Sequence, residues 1–255
     1  MINIGRGKWK NLNRTYEHYL RCFKQVLGLK VNLVLYVDAK AKAFAEEQRR
    51  GMESRTHIIK TTLRDTPYYK LYPRMAEIMN STEYKKDNEL FKLNLPEALY
   101  PDYVIITWTK LYFIDRTIKE NPFKNNFFIW LDGGYGHCAP IFPASHIWRP
   151  RGLFEHADKV TFIELGKGIE EFRNVKDKIH KMSIAVINGG FIAGGTSALQ
   201  KLYSLQNEQV EEWMDHGIVD DEQTVYLTLC YKYLSMFHLV RGTWHDAFKL
   251  FNSEK

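Results

Sequence analysis

Asp132 is the residue whose type and position point most directly to chemistry. It follows the apolar run Phe127–Leu131, which has the length and pattern of a buried central strand, and it precedes Gly133 and Gly134. Ligands of open α/β sheets bind beyond the carboxyl ends of the strands, where an aspartate can reach a metal ion or a ribose. The two glycines would let a ligand approach the backbone closely, although an Asp-Gly pair is also a common turn.

A second glycine-rich segment begins at Asn188. Gly189 and Gly190 follow it, and a second glycine pair precedes Thr196, where a helix is predicted to begin with Thr196 as its cap. Accessible N–H groups and a helix N-terminus attract anions. The spacing fits neither a Walker loop nor a GxGxxG motif, and a tight turn packed against the sheet explains the segment as well as a binding role does.

Three acidic residues, Asp220, Asp221 and Glu222, stand directly before an apolar helix. Carboxylates at a helix start stabilise the helix through its dipole by about 0.3–1 kcal/mol, and this role is expected for Asp220. Asp221 or Glu222 could instead act as a general base or orient a substrate hydroxyl. The sequence leaves both roles open for this pair.

Other polar residues could complete a site around Asp132. His245 paired with Asp132 would suit manganese, since a carboxylate and an imidazole are both ligands of that ion. Arg6, Arg14 and Lys110 could hold phosphate or carboxylate groups, although surface charge explains these three residues equally well.

Hydrophobic periodicity supplies the elements that would position these residues. Strands are predicted at 2–4, 31–37, 56–63, 127–131, 159–165 and 184–187. Helices are predicted at 12–27, 39–50, 73–79, 89–93, 101–119, 196–205 and 221–233. Strands that alternate with helices indicate an α/β fold with a mostly parallel central sheet flanked by helices. No repeat or Pro/Gly linker divides the chain, so 1–255 is predicted to be one domain.

Composition and charge narrow the classes of protein. The chain has 255 residues, of which 45% are hydrophobic and 26% are charged, as in ordinary globular proteins. Aromatic residues reach 14%, which suits either a well-packed core or a site that stacks on rings. The net charge of +6 is spread along the chain, so it fits a solvated surface and no nucleic-acid partner is expected.

The cysteines and the apolar segments predict the compartment. Cys22, Cys138 and Cys230 lie far apart and are odd in number, which predicts neither a zinc knuckle nor a disulfide framework and favours a reducing compartment. The sequence shows neither the apolar run of a signal peptide nor about 18 consecutive apolar residues. A cytoplasmic protein is expected, with peripheral contact to the inner membrane left open.

Three segments together resemble the bacterial HtrL/YibB family, and the resemblance spans nearly the whole chain. The segments are the N-terminal Ile2-Asn3-Ile4-Gly5-Arg6-Gly7-Lys8-Trp9 with Asn13, Arg14 and Tyr19, the central Trp130-Leu131-Asp132-Gly133-Gly134-Tyr135-Gly136, and Asn188-Gly189-Gly190-Phe191 with Gly194 and Gly195. The family is associated with lipopolysaccharide gene clusters and is similar to nucleotide-diphosphosugar transferases.

This resemblance implies a single Rossmann-like GT-A domain that moves a hexose from a nucleotide-diphosphate sugar, such as a UDP-sugar, to a glycan or lipopolysaccharide-type acceptor. In that scheme Asp132 holds a metal ion or the ribose, His245 completes a Mn²⁺ or Mg²⁺ site, and Asp221 or Glu222 is the base. A DxD motif is represented by Asp132 alone, because the sequence reads Leu-Asp-Gly-Gly. The residues expected to bind the donor are Arg6, Arg14, Lys110, Asp132, Gly133, Gly134, Asn188, Gly189 and Gly190.

Two other functions compete with glycosyl transfer. A sugar-phosphate nucleotidyltransferase usually has an N-terminal glycine-rich loop that ends in Arg and Lys, and residues 5–8 are a short match to it. A non-catalytic module that binds glycans or nucleic acid would use the aromatic residues as stacking platforms, and it would need no metal-capable aspartate at the end of a strand.

Overall fold

The computed structural model describes residues 1–4 and 15–251. Its strands are β1 (Leu33–Val37), β2 (Thr56–Lys60), β3 (Phe127–Leu131), β4 (Val160–Glu164), β5 (Phe191–Gly195) and β6 (Phe237–Arg241). Its α-helices are α1 (Tyr16–Leu27), α2 (Ala39–Gln48), α3 (Tyr72–Asn80), α4 (Thr82–Lys85), α5 (Glu89–Lys92), α6 (Pro96–Leu99), α7 (Pro101–Glu120), α8 (Arg151–Phe154), α9 (Thr196–Asp215), α10 (Glu222–Lys232) and α11 (Ala247–Leu250).

The strands of the described residues form two sheets. β1 pairs in parallel with β2, and the larger sheet has the strand order β3-β5-β4-β6. In the larger sheet β5 runs antiparallel to both β3 and β4, whereas β4 and β6 are parallel. The α/β class is confirmed, and the prediction of one mostly parallel central sheet is corrected to two sheets, of which the larger is mixed.

The connection between β4 and β5 explains this difference. It contains the 3₁₀ segment Ile169–Lys181 in place of a crossover α-helix, and antiparallel strands need no crossover helix. The strand predicted at 184–187 is only a bridge between Ile187 and Glu164. β5 was not predicted, because its last two residues, Gly194 and Gly195, have low strand propensity.

The apolar run Phe127–Leu131 forms a strand as predicted, but the strand lies at the edge of its sheet rather than at the centre. All of its residues are only partly buried. Consecutive residues of β3 and of β1 line one cavity of about 400 Å³. Residues on both faces of β3 are therefore apolar although the strand lies at the edge of the sheet. The same pattern is expected of a central strand, which is why the sequence predicted one.

Helix α7 carries Lys110 and packs in the main hydrophobic core. The predicted apolar stripe is buried as expected: Val104, Trp108, Leu111, Ile114 and Ile118. Pro101 starts the helix and Asn121 ends it in a left-handed conformation, both common terminal choices. The indole N–H of Trp108 donates to the carbonyl of Asp220 at 3.0 Å. This bond fixes α7, which carries Lys110, against the start of α10.

The remaining boundaries differ modestly from the predictions. Residues 2–4 are not a strand, although the backbone N–H of Asp38 donates to the carbonyl of Met1 at 3.0 Å. β6 was not predicted. No helix within the described ranges has both the length and the hydropathy required to cross a membrane.

Candidate active site

A cavity of about 880 Å³ lies where the carboxyl end of β3 meets α7 and the turn at 188–190. Its aromatic lining consists of Tyr16, Tyr19, Tyr36, Tyr103, Phe113, Trp130, Tyr135 and Trp244. Its charged and polar lining includes Asn3, Thr107, Lys110, Asp132, His137, Asn188, Glu222, Gln223 and His245. Pockets for drug-sized ligands measure about 300–1,000 Å³, so this cavity can enclose a molecule of that size.

Asp132 lies at the end of β3 and lines this cavity, as the sequence predicts. Its backbone N–H donates to the carbonyl of Gly190 at 3.0 Å. The indole N–H of Trp130 donates to Asp132 Oδ1 at 2.7 Å, and Lys110 Nζ lies 3.1 Å from the carboxylate. Because the side chain is still 39% exposed, its remaining lone pairs can accept hydrogen bonds from a ligand.

Lys110 connects the parts of the site. Its side chain is 10% exposed, and its ammonium donates to Glu222 Oε1 at 2.7 Å, to the carbonyl of Gly189 at 2.9 Å and to Asp132 at 3.1 Å. An ammonium has three N–H donors, so protein atoms use all of them. Lys110 therefore holds two carboxylates together, and its predicted contact with a donor phosphate would require one of these three bonds to be replaced.

The charge of Lys110 is set by two opposing effects. Burial by itself lowers the pKa of a lysine, but the carboxylates of Asp132 and Glu222 outweigh burial and raise the pKa of Lys110 above its ordinary value. The ammonium is thus charged across the physiological pH range.

Asp221 and Glu222 have different environments although they are adjacent. Asp221 caps α10, because its carboxylate accepts from the backbone N–H of Gln223 at 3.0 Å and from the side-chain amide of Gln223 at 3.1 Å. Glu222 is 2% exposed and lines the cavity, and its Oε2 has no hydrogen-bond partner among the described residues. Of the pair, Glu222 is therefore the one that lines the cavity, and its unpartnered oxygen is itself buried.

Asp220 lies directly before Asp221, which is the cap of α10. Asp220 is 2% exposed; its Oδ1 accepts from the backbone N–H of Asp221 at 2.8 Å, and its Oδ2 has no partner among the described residues. Burial raises the pKa of both Asp220 and Asp221 well above the ordinary range of a carboxyl group.

Asn188 and its glycines shape the turn opposite Asp132. The buried Asn188 amide donates to the carbonyl of Trp244 at 3.0 Å and accepts from the N–H of Gly190 at 2.8 Å, so both ends of the amide have a protein partner. A Cβ at Gly189 would overlap the Glu222 carboxylate. These residues line the cavity as predicted, but their structural task is to position Glu222 and the loop at Trp244.

The second glycine pair does not form the predicted anion-binding loop. Gly194 and Gly195 belong to β5. Thr196 does not cap α9, because its backbone N–H and its hydroxyl both donate to the carbonyl of Asn126, at 3.1 and 3.3 Å. The helix start is thus fixed to the residue before β3.

Gly133 and Gly134 allow α1 to pack closely against the turn after β3. A Cβ at Gly134 would lie 2.9 Å from the ring of Tyr19, and one at Gly133 would lie 3.2 Å from the ring of Phe23. Real Cβ atoms essentially never come as close as the first distance. Both glycines also line the cavity, so their close packing against α1 still leaves them accessible to a ligand.

His245 lies in the same cavity as Asp132, next to other rings. Its imidazole contacts Tyr135 and His137 edge-on, with ring centroids 6.0 and 5.7 Å away. In the described part of the chain, neither Asp132 nor His245 belongs to a group of three His, Cys, Asp or Glu ligand atoms within 4.8 Å of one another. The ammonium of Lys110 also contacts Asp132, so a cation on this carboxylate would lie beside a positive charge.

Two aromatic residues of the site gave no signal in the sequence. Tyr36 at the end of β1 stacks on Phe113 of α7, with centroids 4.1 Å apart, and Phe113 lies nearly parallel to Trp130. Of these three rings, only Trp130 lies near Asp132 in the sequence, two positions before it. Arg6 and Arg14 lie outside the described residues.

The cysteines correct another expectation. Cys22 of α1 and Cys138 form a disulfide across 116 residues of sequence, which the spacing of the cysteines did not predict. His18 Nε2 lies 3.6 Å from Cys22 Sγ, and the guanidinium of Arg21 approaches His18 Nδ1 at 3.4 Å. The disulfide links α1 to the segment that carries His137, so it joins two walls of the cavity.

Fold and site together define a mixed α/β protein with an aromatic-walled cleft and a buried Lys–Glu ion pair. The chain belongs to the HtrL_YibB family, described as "Bacterial protein of unknown function (HtrL_YibB)", which matches residues 1–253. It is 26% identical to "Protein HtrL" of Escherichia coli (strain K12) over 263 aligned positions, which cover 99% of this chain and 90% of that protein. The family resemblance is thereby confirmed.

Among solved structures, the chain is similar to mouse xyloside xylosyltransferase 1 in its apo form. The TM-score is 0.43 and the identity 12%, with 89% of this chain and 82% of that chain covered.

Proposed function

We propose that the cleft transfers a hexose from a nucleotide-diphosphate sugar, with a UDP-sugar as the favoured donor, to a glycan or lipopolysaccharide-type acceptor. One observation carries the proposal: at the carboxyl end of β3, a partly exposed Asp132 is fixed by Trp130 and Lys110 inside an aromatic-walled cavity.

The lining chemistry suits a sugar-containing ligand. A fixed carboxylate accepts hydrogen bonds from the hydroxyls of a ribose or hexose, and aromatic rings pack against apolar sugar faces or a base. Asp132 supplies the first kind of contact, whereas Tyr36, Tyr103 and Trp244 line the same cavity and supply the second. A ligand that combines several hydroxyls with a ring system therefore matches both parts of the lining.

Glu222 supplies the group for the chemical step. In the proposed transfer, the acceptor hydroxyl oxygen bonds to the anomeric carbon while the bond from that carbon to the diphosphate oxygen breaks. The hydroxyl proton passes to the carboxylate of Glu222, which lines the cavity. Lys110 orients this carboxylate through the 2.7 Å bond to Oε1.

Calorimetry with UDP, GDP and CDP tests the donor site. Wild-type protein is expected to bind UDP, and Asp132→Asn to bind it at least about tenfold more weakly, a loss of about 1.4 kcal/mol. Asp158→Asn is the matched control, because Asp158 is exposed and lies outside the cavity lining. Absence of heat with every nucleotide, or equal affinity in both variants, would overturn the proposal.

Release of UDP from UDP-hexoses, measured with a coupled assay, tests the reaction itself. Nucleotidyl transfer would instead release pyrophosphate from a nucleoside triphosphate in the presence of a sugar phosphate. A binding module would show affinity for glycans and no turnover of either kind.

A further inference from the structure

Lys110 lies beside Asp132, where a divalent cation would have to bind. Its Nζ is 3.1 Å from the Asp132 carboxylate and 2.7 Å from Glu222 Oε1. A divalent ion on Asp132 would lie close to this buried positive charge, and like charges at such a distance repel each other. Displacing Lys110 would break its bond to Glu222, which is itself buried.

Among the described residues, no group of three metal-capable ligand atoms includes Asp132. Asp132 Oδ1 already accepts the indole N–H of Trp130 at 2.7 Å. Within the described ranges the only group of three metal-capable ligand atoms is formed by His18, Cys22 and Cys138, and its two sulfurs are bonded to each other.

The charges in the cavity divide it into two parts. The carboxylates of Asp132 and Glu222 carry one more charge than the ammonium of Lys110 balances, so this part of the cavity is negative. It therefore favours ligand groups that donate hydrogen bonds, such as hydroxyls. His137 and His245, whose ring centroids lie 5.7 Å apart, line another part of the cavity. Imidazole N–H groups donate to anions, so this second part suits a diphosphate.

We propose that the cleft binds the diphosphate of its donor without a divalent cation, because Lys110 occupies the position beside Asp132 that the cation would take. Asp132 accepts hydroxyl groups of the ligand, and His137 with His245 donates to the phosphate oxygens. This inference rests on the proposed nucleotide-sugar site, and it assigns His245 to the diphosphate rather than to a metal ion.

Titration of UDP into wild-type protein with EDTA, and separately with MnCl₂, gives the first test. Equal dissociation constants, within about a factor of two, are expected in the two buffers. Binding that is about tenfold or more tighter with manganese would overturn the inference while leaving the nucleotide site in place.

The variant His245→Gln separates the two roles of that residue. If His245 contacts phosphate, the variant weakens UDP binding by a similar factor in EDTA and in manganese. If His245 is a metal ligand, the loss appears in manganese alone, and the inference is wrong. His137→Asn is the second variant, chosen because His137 has a φ of 49° and asparagine tolerates the left-handed region.

Electron paramagnetic resonance of Mn²⁺ gives a readout that does not depend on any nucleotide. Wild-type protein is expected to leave the signal of free Mn²⁺ undiminished. Stoichiometric loss of that signal that Asp132→Asn restores would overturn the inference even if no nucleotide binds. Failure of the proposed function alone would appear as absent UDP binding together with an undiminished Mn²⁺ signal.

Discussion

The ammonium of Lys110 lies 2.7 Å from the carboxylate of Glu222, and both side chains are buried although 112 residues separate them in the sequence. Trp108, two residues before Lys110, also bonds to the carbonyl of Asp220, two residues before Glu222. The two contacts fix α7 against the start of α10. The ion pair is therefore both a packing feature and the centre of the cleft.

Replacing Lys110 by Met should destabilise the protein by about 3–5 kcal/mol, because the buried Glu222 carboxylate would lose its partner. Adding Glu222→Gln should recover part of this loss, since no unpaired charge then remains. Urea unfolding followed by circular dichroism measures both variants. Lys40→Met, which breaks the exposed pair with Glu17, is the control and should change stability little; a loss equal to that of Lys110→Met would contradict the role of burial.

Asp221→Ala should lower stability by about 1 kcal/mol and leave UDP affinity unchanged, because it removes the cap of α10 and no ligand contact. Thermal unfolding and UDP calorimetry measure the two effects. The prediction fails if nucleotide affinity falls while the melting temperature holds.

Glu222→Gln should lower turnover by about 10²–10⁴-fold, the usual contribution of general-base catalysis, with UDP affinity retained. The amide preserves the shape of the side chain and removes the proton acceptor. Steady-state turnover of a UDP-hexose at saturating donor is the measurement, with Glu208→Gln on the exposed face of α9 as control. Normal turnover in Glu222→Gln would move the base to another residue.

Changing Cys22 and Cys138 together to Ser should lower stability by about 2–4 kcal/mol, the usual range for a disulfide. UDP affinity should fall as well, because the bond joins α1 to the segment 135–138 and both line the cavity. Treatment of wild-type protein with a dithiol reductant should have the same two effects. Cys230→Ser tests whether loss of a buried free thiol produces them; the same loss of UDP affinity there would contradict the role of the disulfide.

Asp220 should make the protein less stable as pH rises. Burial raises the pKa of Asp220 in the folded state, so its contribution to stability is fully present below the unfolded pKa of about 3.9. That contribution is lost as pH rises through the folded pKa, because the folded state binds the proton more tightly. Urea unfolding at a series of pH values should show a smaller decline in the free energy of unfolding for Asp220→Asn than for wild type. An unchanged dependence of that free energy on pH would exclude Asp220 as the cause.

Much of the site could be predicted because its signals are local in the sequence. The position of Asp132 follows from the apolar run before it, and the lining role of Gly189 and Gly190 follows from their adjacency in a turn. The buried stripe of α7 follows from its period, because an amphipathic helix repeats its core positions every three or four residues.

The tertiary structure decided what each of these residues does. Sequence cannot show that Lys110 lies between Asp132 and Glu222, because contacts across 112 residues depend on how the helices pack. The strand β5 was likewise not predicted, since its two glycines have low strand propensity and only pairing with β3 and β4 makes the segment a strand. The pairing of Cys22 with Cys138 has the same cause: the sequence supplies the groups, and only the packing of α1 against the segment after β3 brings their sulfurs together.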